Sequence, residues 1–129
     1  MTDRKTCGSG GEWEQKIGYS RGVRVGNVIE ISGTTASKDG EIIGGSDPYA
    51  QAVQCLSVIK AAIETLGGKL EDTVKTRIYL SDINNWEAVG KAHGEMFADV
   101  KPAIVLLEVS ALMNKELLVE IEATAVVSE

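Results

Sequence analysis

Two extended, β-branched runs near the C-terminus constrain this chain most: Lys101-Pro-Ala-Ile-Val-Leu-Leu-Glu-Val109 and Leu117-Leu-Val-Glu-Ile-Glu-Ala-Thr-Ala-Val126. A polar turn around Asn114 and Lys115 separates them, and the pattern predicts an antiparallel strand pair with a short connection. In the second run Leu117, Val119, Ile121, Ala123 and Ala125 share one face, with Leu118, Glu120, Glu122 and Thr124 on the other. The first run is apolar on both faces: Val105, Leu107 and Val109 on one, Ile104 and Leu106 on the other. Such a strand has to be covered twice. The rest of the chain supplies one cover, and another subunit is the expected source of the second. Glu120 and Glu122 lie on the face whose cover is in question, so chemistry is expected there.

The remaining bounds are exclusions. A chain of 129 residues is long enough for a single core and short for two. A net charge of −6 and no run of Lys or Arg weigh against a nucleic-acid partner, which needs a basic face. No apolar stretch reaches signal-peptide or membrane-spanning length, so no membrane partner and a cytoplasmic location are expected. Cys7 and Cys55 lie far apart without paired spacing and read as free thiols. With His93 as the single histidine, these residues cannot build the usual zinc cage, and no metal is expected.

Taken in order, residues 1–16 are polar and read as an N-terminal arm, with residues 17–129 as the single domain. Gly8, Gly10 and Gly11 make no phosphate cradle, because no Gly-Lys-Ser/Thr follows; Trp13 is expected to anchor the arm. Gly22–Val25 and Val28–Ser32 are strands joined at Gly26-Asn27, a hairpin signal in the inverse of the preferred order. A turn at Lys38-Asp39-Gly40 precedes a short edge strand at Glu41–Ile43. Asp47 is a natural N-cap and Pro48 suits the first helical position. Tyr49, Ala52, Val53, Leu56, Ile59, Ile63 and Leu66 then form one stripe that Gly67-Gly68 stops, with Cys55 packing beside it. Thr73 to Leu80 reads as a strand, with Val74, Ile78 and Leu80 on one face and Lys75, Arg77 and Tyr79 on the other. A second helix over about Trp86 to Ala98 carries the stripe Trp86, Val89, His93, Met96 and Phe97, where His93 reads as a packed histidine. The order β-β-(β)-α-β-α-β-β gives two helices, enough to cover one face of a five- or six-stranded sheet. Ile104 and Leu106 on the other face would be an exposed apolar patch in a monomer, which homo-oligomerisation would remedy.

This order and several local phrases resemble the Rid family, the YjgF-type reactive-intermediate deaminases also called the endoribonuclease L-PSP family. The phrases are Ile17-Gly-Tyr-Ser20, Gly26-Asn27 with Ile31-Ser-Gly33, Gln51, Val74-Lys-Thr76, Pro102-Ala103, Glu108-Val109 and Val119-Glu-Ile-Glu-Ala123. They span residues 17 to 126 in the family's order. The resemblance implies an α+β fold of chorismate-mutase-like, YjgF type, with a mixed sheet, two helices on one face, and a homotrimer centred on a barrel. It implies hydrolysis of 2-enamine and 2-imino acids to 2-keto acids and ammonia, without a cofactor, in clefts between subunits.

Residue by residue, the family's tyrosine matches Tyr19, its Ser-Gly pair Ser32-Gly33, and its glutamate Glu120, the implied catalytic acid/base. The asparagine often found in the second helix is Gly90 here, and a nearby aromatic is His93. The arginine that follows Pro-Ala and grips the substrate carboxylate is replaced by Ile104. Charged hydrogen bonds contribute roughly 1.5–3 kcal/mol each, so the expected loss is at least about tenfold in transition-state stabilisation. The expectation is a small-metabolite-binding protein whose 2-imino-acid activity is weak or absent, unless Arg21, Arg24 or Arg77 enters the cleft. The alternative is a non-catalytic sensing or chaperone-like module using the same cleft. A ribonuclease ranks last for so acidic a chain.

Overall fold

The computed structural model describes residues 3–128. A six-stranded mixed sheet in the order β1-β2-β3-β8-β6-β7 carries two long helices on one face. Its strands are β1 (Arg4–Cys7), β2 (Gly22–Val25), β3 (Val28–Thr34), β6 (Thr73–Leu80), β7 (Ala103–Glu108) and β8 (Val119–Val126). A separate two-stranded ribbon joins β4 (Ser37–Lys38) to β5 (Glu41–Ile42). The helices are α1 (Glu12–Ile17), α2 (Pro48–Thr65) and α3 (Trp86–Phe97). The expected α+β fold with two helices over one face of the sheet is the one observed.

The expected C-terminal hairpin is not. β8 lies between β3 and β6, antiparallel to both, and β7 pairs in parallel with β6 at the sheet edge. β8 alternates cleanly and so suits a central strand under helices. β7, apolar on both faces, takes the parallel position reached by crossing over through α3. The faces of β7 are also the reverse of those expected. Ile104 and Leu106 stand in register with Thr76 and Ile78 on the helix side, where Leu106 packs against the core. Val105 and Leu107 share the open face with Arg77 and Tyr79, and both are more than a third exposed.

Other expectations need smaller corrections. Of the expected arm, residues 1 and 2 lie outside the described residues and the rest is not loose: Arg4–Cys7 pair with Gly22–Val25 as the far edge of the sheet, and Glu12–Ile17 form a short helix. Trp13 stays half exposed beneath Lys16, whose ammonium stands 5.5 Å from its ring. Val74 is exposed, because a register irregularity between Thr73 and Lys75 turns Thr73 and Thr76 inward instead. Gly26 adopts φ 61° while Asn27 does not enter the left-handed region. A turn with only its first central residue left-handed wants glycine first, which accounts for the inverted order.

The core lies between the sheet and α2 and α3. Asp47 accepts a hydrogen bond from the Tyr49 amide at 3.0 Å, and Pro48 follows it at the first helical position. Ala52, Leu56, Ile59 and Ile63 are buried as the stripe predicts, and Val53 is not. Cys55 is fully buried, its thiol near the Val119 carbonyl and pushed up to about 12 by desolvation. Full burial of each Leu or Ile contributes roughly 1.5–3 kcal/mol, so α2 is held by its packing more than by its caps. In α3, Val89, Ala92, His93 and Phe97 face inward while Trp86 is exposed.

His93 Nε2 meets Thr76 Oγ1 at 2.8 Å, and the imidazole lies 4.6 Å from the Phe97 ring. Burial lowers its pKa from the ordinary 6.5. The unfolded chain therefore takes up this proton first as pH falls, so stability is intact above 6.5 and drains away below it. Urea unfolding between about pH 7.5 and about pH 5 is expected to show a steeper acid loss for the wild type than for His93→Gln, and parallel curves would refute the assignment.

Candidate functional site

The open face of the sheet is polar at its centre. Alternation along β8 sets Glu120, Glu122 and Thr124 there, beside Tyr79, Arg77 and Lys75 of β6. Thr124 donates from its hydroxyl to Glu30 Oε1 at 2.6 Å and accepts from Arg77 Nη1 at 3.3 Å. Arg77 also lies 3.8 Å from Glu122, whose carboxylate accepts the Tyr79 hydroxyl. That bond, with burial and the carboxylate charge, raises the Tyr79 pKa. Glu122 is thus bound on two sides.

Glu120 is in a different position. It is partly buried and takes part in none of these bonds. Desolvation raises its pKa above the ordinary carboxylate range; the Arg21 guanidinium opposes that shift and the charge of Glu122 adds to it. Its side chain lies across Gly33: a methyl group placed there would stand 3.0 Å from Glu120 Cδ and closer still to Oε2. Only a glycine leaves that space. Gly33 sits where the register between β3 and β8 slips, between Ile31 and Thr34. Glu120 and Tyr79 line a hollow of about 380 Å³ completed by Val109, Ala111, Leu112 and Met113.

Across Gly33 from Glu120 the chain leads into β2. Tyr19, Ser20 and Ser32 line a second hollow of about 560 Å³ with Arg4, Glu14 and Val23. The Ser32 hydroxyl donates to the Ser20 carbonyl at 2.7 Å, and Arg21 Nη2 donates to the Gly33 carbonyl at 3.1 Å. The Arg21 guanidinium stands 5.5 Å from the Tyr19 ring. Of the expected site residues, Tyr19, Ser32, Gly33 and Glu120 therefore gather at one end of the open face. Ile104 does not join them within one chain: it is half exposed at the sheet edge, on the helix side.

Sequence reasoning named Arg21 and Gln51 without their contacts, and gave Tyr79 no part in the site. Arg21 lies within electrostatic reach of Glu120. Tyr79 is tied to the second carboxylate. Gln51, fully buried on α2, fastens the end of the loop that leads into β8: its Nε2 donates to the Gly45 and Glu116 carbonyls at 2.6 and 3.0 Å, and its Oε1 accepts from Leu118 N at 2.9 Å. An Asx turn, Asn114 Oδ1 accepting from Glu116 N at 2.8 Å, shapes the same loop. A lone glutamine on an apolar helical stripe was the available signal. Among the described residues, no group of three or more His, Cys, Asp or Glu gathers as a metal site would require, and no helix is long and apolar enough to cross a membrane.

A six-stranded α+β sheet with this glutamate over a glycine defines a class that comparison makes explicit. The family model described as Endoribonuclease L-PSP matches residues 12–127. A RutC family protein of Pyrococcus horikoshii is 40% identical over 109 residues, covering 83% of this chain and 85% of its own. An uncharacterised Streptomyces coelicolor protein is 35% identical over 117 residues, covering 91% of this chain and 87% of its own. Among solved structures, a Mycobacterium tuberculosis member of the YjgF/YER057c/UK114 family superposes with TM-score 0.89 at 41% identity, covering 97% of this chain and all of that one. The Escherichia coli YjgF gene product gives 0.76 at 36% identity, covering 84% of this chain and 87% of that one. This chain belongs to the endoribonuclease L-PSP family, also known as the YjgF or Rid family.

Two substitutions test how the site is built. Gly33→Ala is expected to leave the fold intact and push the flexible Glu120 carboxylate outward, returning its pKa toward the ordinary range; carboxyl-resolved NMR titration reads the shift directly. Gln51→Ala removes three hydrogen bonds made by a fully buried side chain, at about 0.5–1.5 kcal/mol each, so a loss of about 2 kcal/mol or more is expected in denaturant unfolding. A loss below about 0.5 kcal/mol would mean that the loop finds other partners.

Proposed function

We propose that this protein binds a small metabolite and hydrolyses its C=N bond, with Glu120 handling the proton. The observation that carries this reading is the environment of Glu120: a partly desolvated carboxylate with a raised pKa, laid over a glycine at the mouth of a hollow. A group that must both take and give a proton near neutral pH needs such a shift.

The reaction needs few parts. Glu120 takes a proton from water as its oxygen attacks the imine carbon, forming a carbinolamine. That proton passes to the imine nitrogen to complete the neutral carbinolamine. Glu120 then takes the carbinolamine hydroxyl proton and delivers it to nitrogen as the C–N bond breaks, so that ammonia leaves, the carbonyl forms, and imine and water give ketone and ammonia. Tyr19 and Ser32 supply polar wall on one side of Gly33, and Tyr79 lines the other. None of these steps requires a cofactor.

The assembly we propose is a homotrimer in which the open faces of the sheets meet. Support comes from the uncovered face itself, with Val105 and Leu107 exposed beside the polar row, and from family membership. In that arrangement Ile104 reaches a site only across a chain boundary, as an apolar wall without a positive charge. Activity on 2-imino acids is accordingly expected to be lower than in relatives that carry arginine there. The acidity of the chain argues against the cleavage of RNA that the family's older label names.

The deciding assay uses 2-aminoacrylate generated enzymatically in the presence of the purified protein. Glu120→Gln is expected to lower hydrolysis by about 10²-fold or more while the sedimentation behaviour is unchanged. The wild-type rate should fall as pH drops through the raised Glu120 pKa, an acid limb above that of an ordinary carboxylate. Binding of the product 2-keto acid without turnover would leave the non-catalytic sensing reading in its place.

A further inference from the structure

Position 104 offers no charge, and three arginines could supply one from elsewhere. Arg24 is committed to the helix side, with Nη1 on the Leu66 carbonyl at 2.8 Å and Nε on the Gly26 carbonyl at 2.9 Å. Arg77 is held by Thr124 and Glu122 within the polar row. Arg21 differs from both. Among the described residues its one side-chain hydrogen bond is from Nη2 to the Gly33 carbonyl, and its Nε is buried with no partner.

We infer that Arg21 is the anion anchor of the Glu120 site, receiving the carboxylate of a 2-keto or 2-imino acid from the β2 side instead of the β7 edge. The identity of the ligand rests on the hydrolytic reading above; the placement of the cation does not. A guanidinium carries five donors in a fixed fork, and this one spends a single donor on the protein. A neutral donor would hold the Gly33 carbonyl equally well. Burying the Nε–H of a partly exposed guanidinium without a partner costs free energy that the bond to Gly33 alone does not return. Tyr19 beside the guanidinium limits its swing. The same glycine ties the two charges together: Arg21 binds its carbonyl and Glu120 lies over its α-carbon. The two side chains sense one another without forming a direct ion pair. A ligand whose carboxylate is bonded directly to the reacting carbon would bridge the two charges, with the anion toward Arg21 and the C=N carbon toward Glu120. A bidentate contact of this kind is charge-assisted and favours a planar carboxylate.

The test compares a carboxylate with its neutral counterpart. Calorimetric binding of 2-oxobutanoate and of 2-oxobutanamide to the intact protein is expected to favour the acid by at least about tenfold. Arg21→Gln should abolish that preference by weakening the acid alone, and Arg21→Lys should keep part of it. A purely structural Arg21 would lower both affinities alike, together with the melting temperature, and that result overturns the inference. So does a wild-type protein that does not bind the acid or does not prefer it. Turnover of 2-aminoacrylate that is indifferent to Arg21 overturns this inference and spares the hydrolytic reading. Arg21-dependent acid binding without turnover does the reverse.

Discussion

The fold depends on β8 having one face for the helices and another that carries a row of polar side chains. Val119, Ile121, Ala123 and Ala125 are all fully buried beneath the helical layer. Glu120, Glu122 and Thr124, one residue out of phase, face the opposite way. Because the period of a strand is two, no slip of register could leave one set correctly placed and the other not. Burial of the apolar set therefore fixes where the carboxylates stand, and it does so in the middle of the sheet, where β3 and β6 clamp the strand on both sides. The site inherits the rigidity of the core without being part of it.

Within that frame the two glutamates are made unequal by their neighbours. Glu122 faces a tyrosine hydroxyl and an arginine, which satisfy its lone pairs and fix it in place. Glu120 lies over a glycine, loses water, and receives only the distant field of Arg21 in return. A partly buried carboxylate without a bound partner is costly, and such perturbed groups cluster at functional sites. The contrast comes from three small choices: no side chain at residue 33, a hydroxyl at residue 79, and an arginine placed one residue before β2.

Much of this was legible before any coordinates. Local signals gave α2 with its Asp47 cap, β6 to the residue, the packed role of His93, and both faces of β8, because each depends on periodicity or capping within a few residues. Pairing was not legible. The two C-terminal runs are close in sequence and look like a hairpin, yet β7 crosses to the far side of β6, where Leu106 alone reaches the core. The N-terminal strand was missed for a related reason: Arg4–Cys7 has no apolar alternation and becomes a strand only because β2 offers an open edge. At the candidate site, the resemblance pointed to Tyr19, Ser32, Gly33 and Glu120. It could not rank Arg21, Arg24 and Arg77, since that ranking turns on which carbonyl each guanidinium reaches.

The placement of β7 has a consequence for how this site can change. Ile104 stands in register with Thr76 on the helix side, whereas Glu120 is opposite Tyr79 on the open side. No rotamer of a residue at 104 brings it to Glu120 of its own chain across the thickness of the sheet. An anchor at position 104 thus belongs, in the proposed assembly, to a neighbour's glutamate, and its strength depends on how the chains dock. An anchor at position 21 belongs to the same chain as the glutamate and shares a glycine with it. Moving the positive charge from the sheet edge to the entry of β2 would free β7 to be selected for apolar contact alone. The isoleucine, with Val105 and Leu107 beside it, is what such a release would leave.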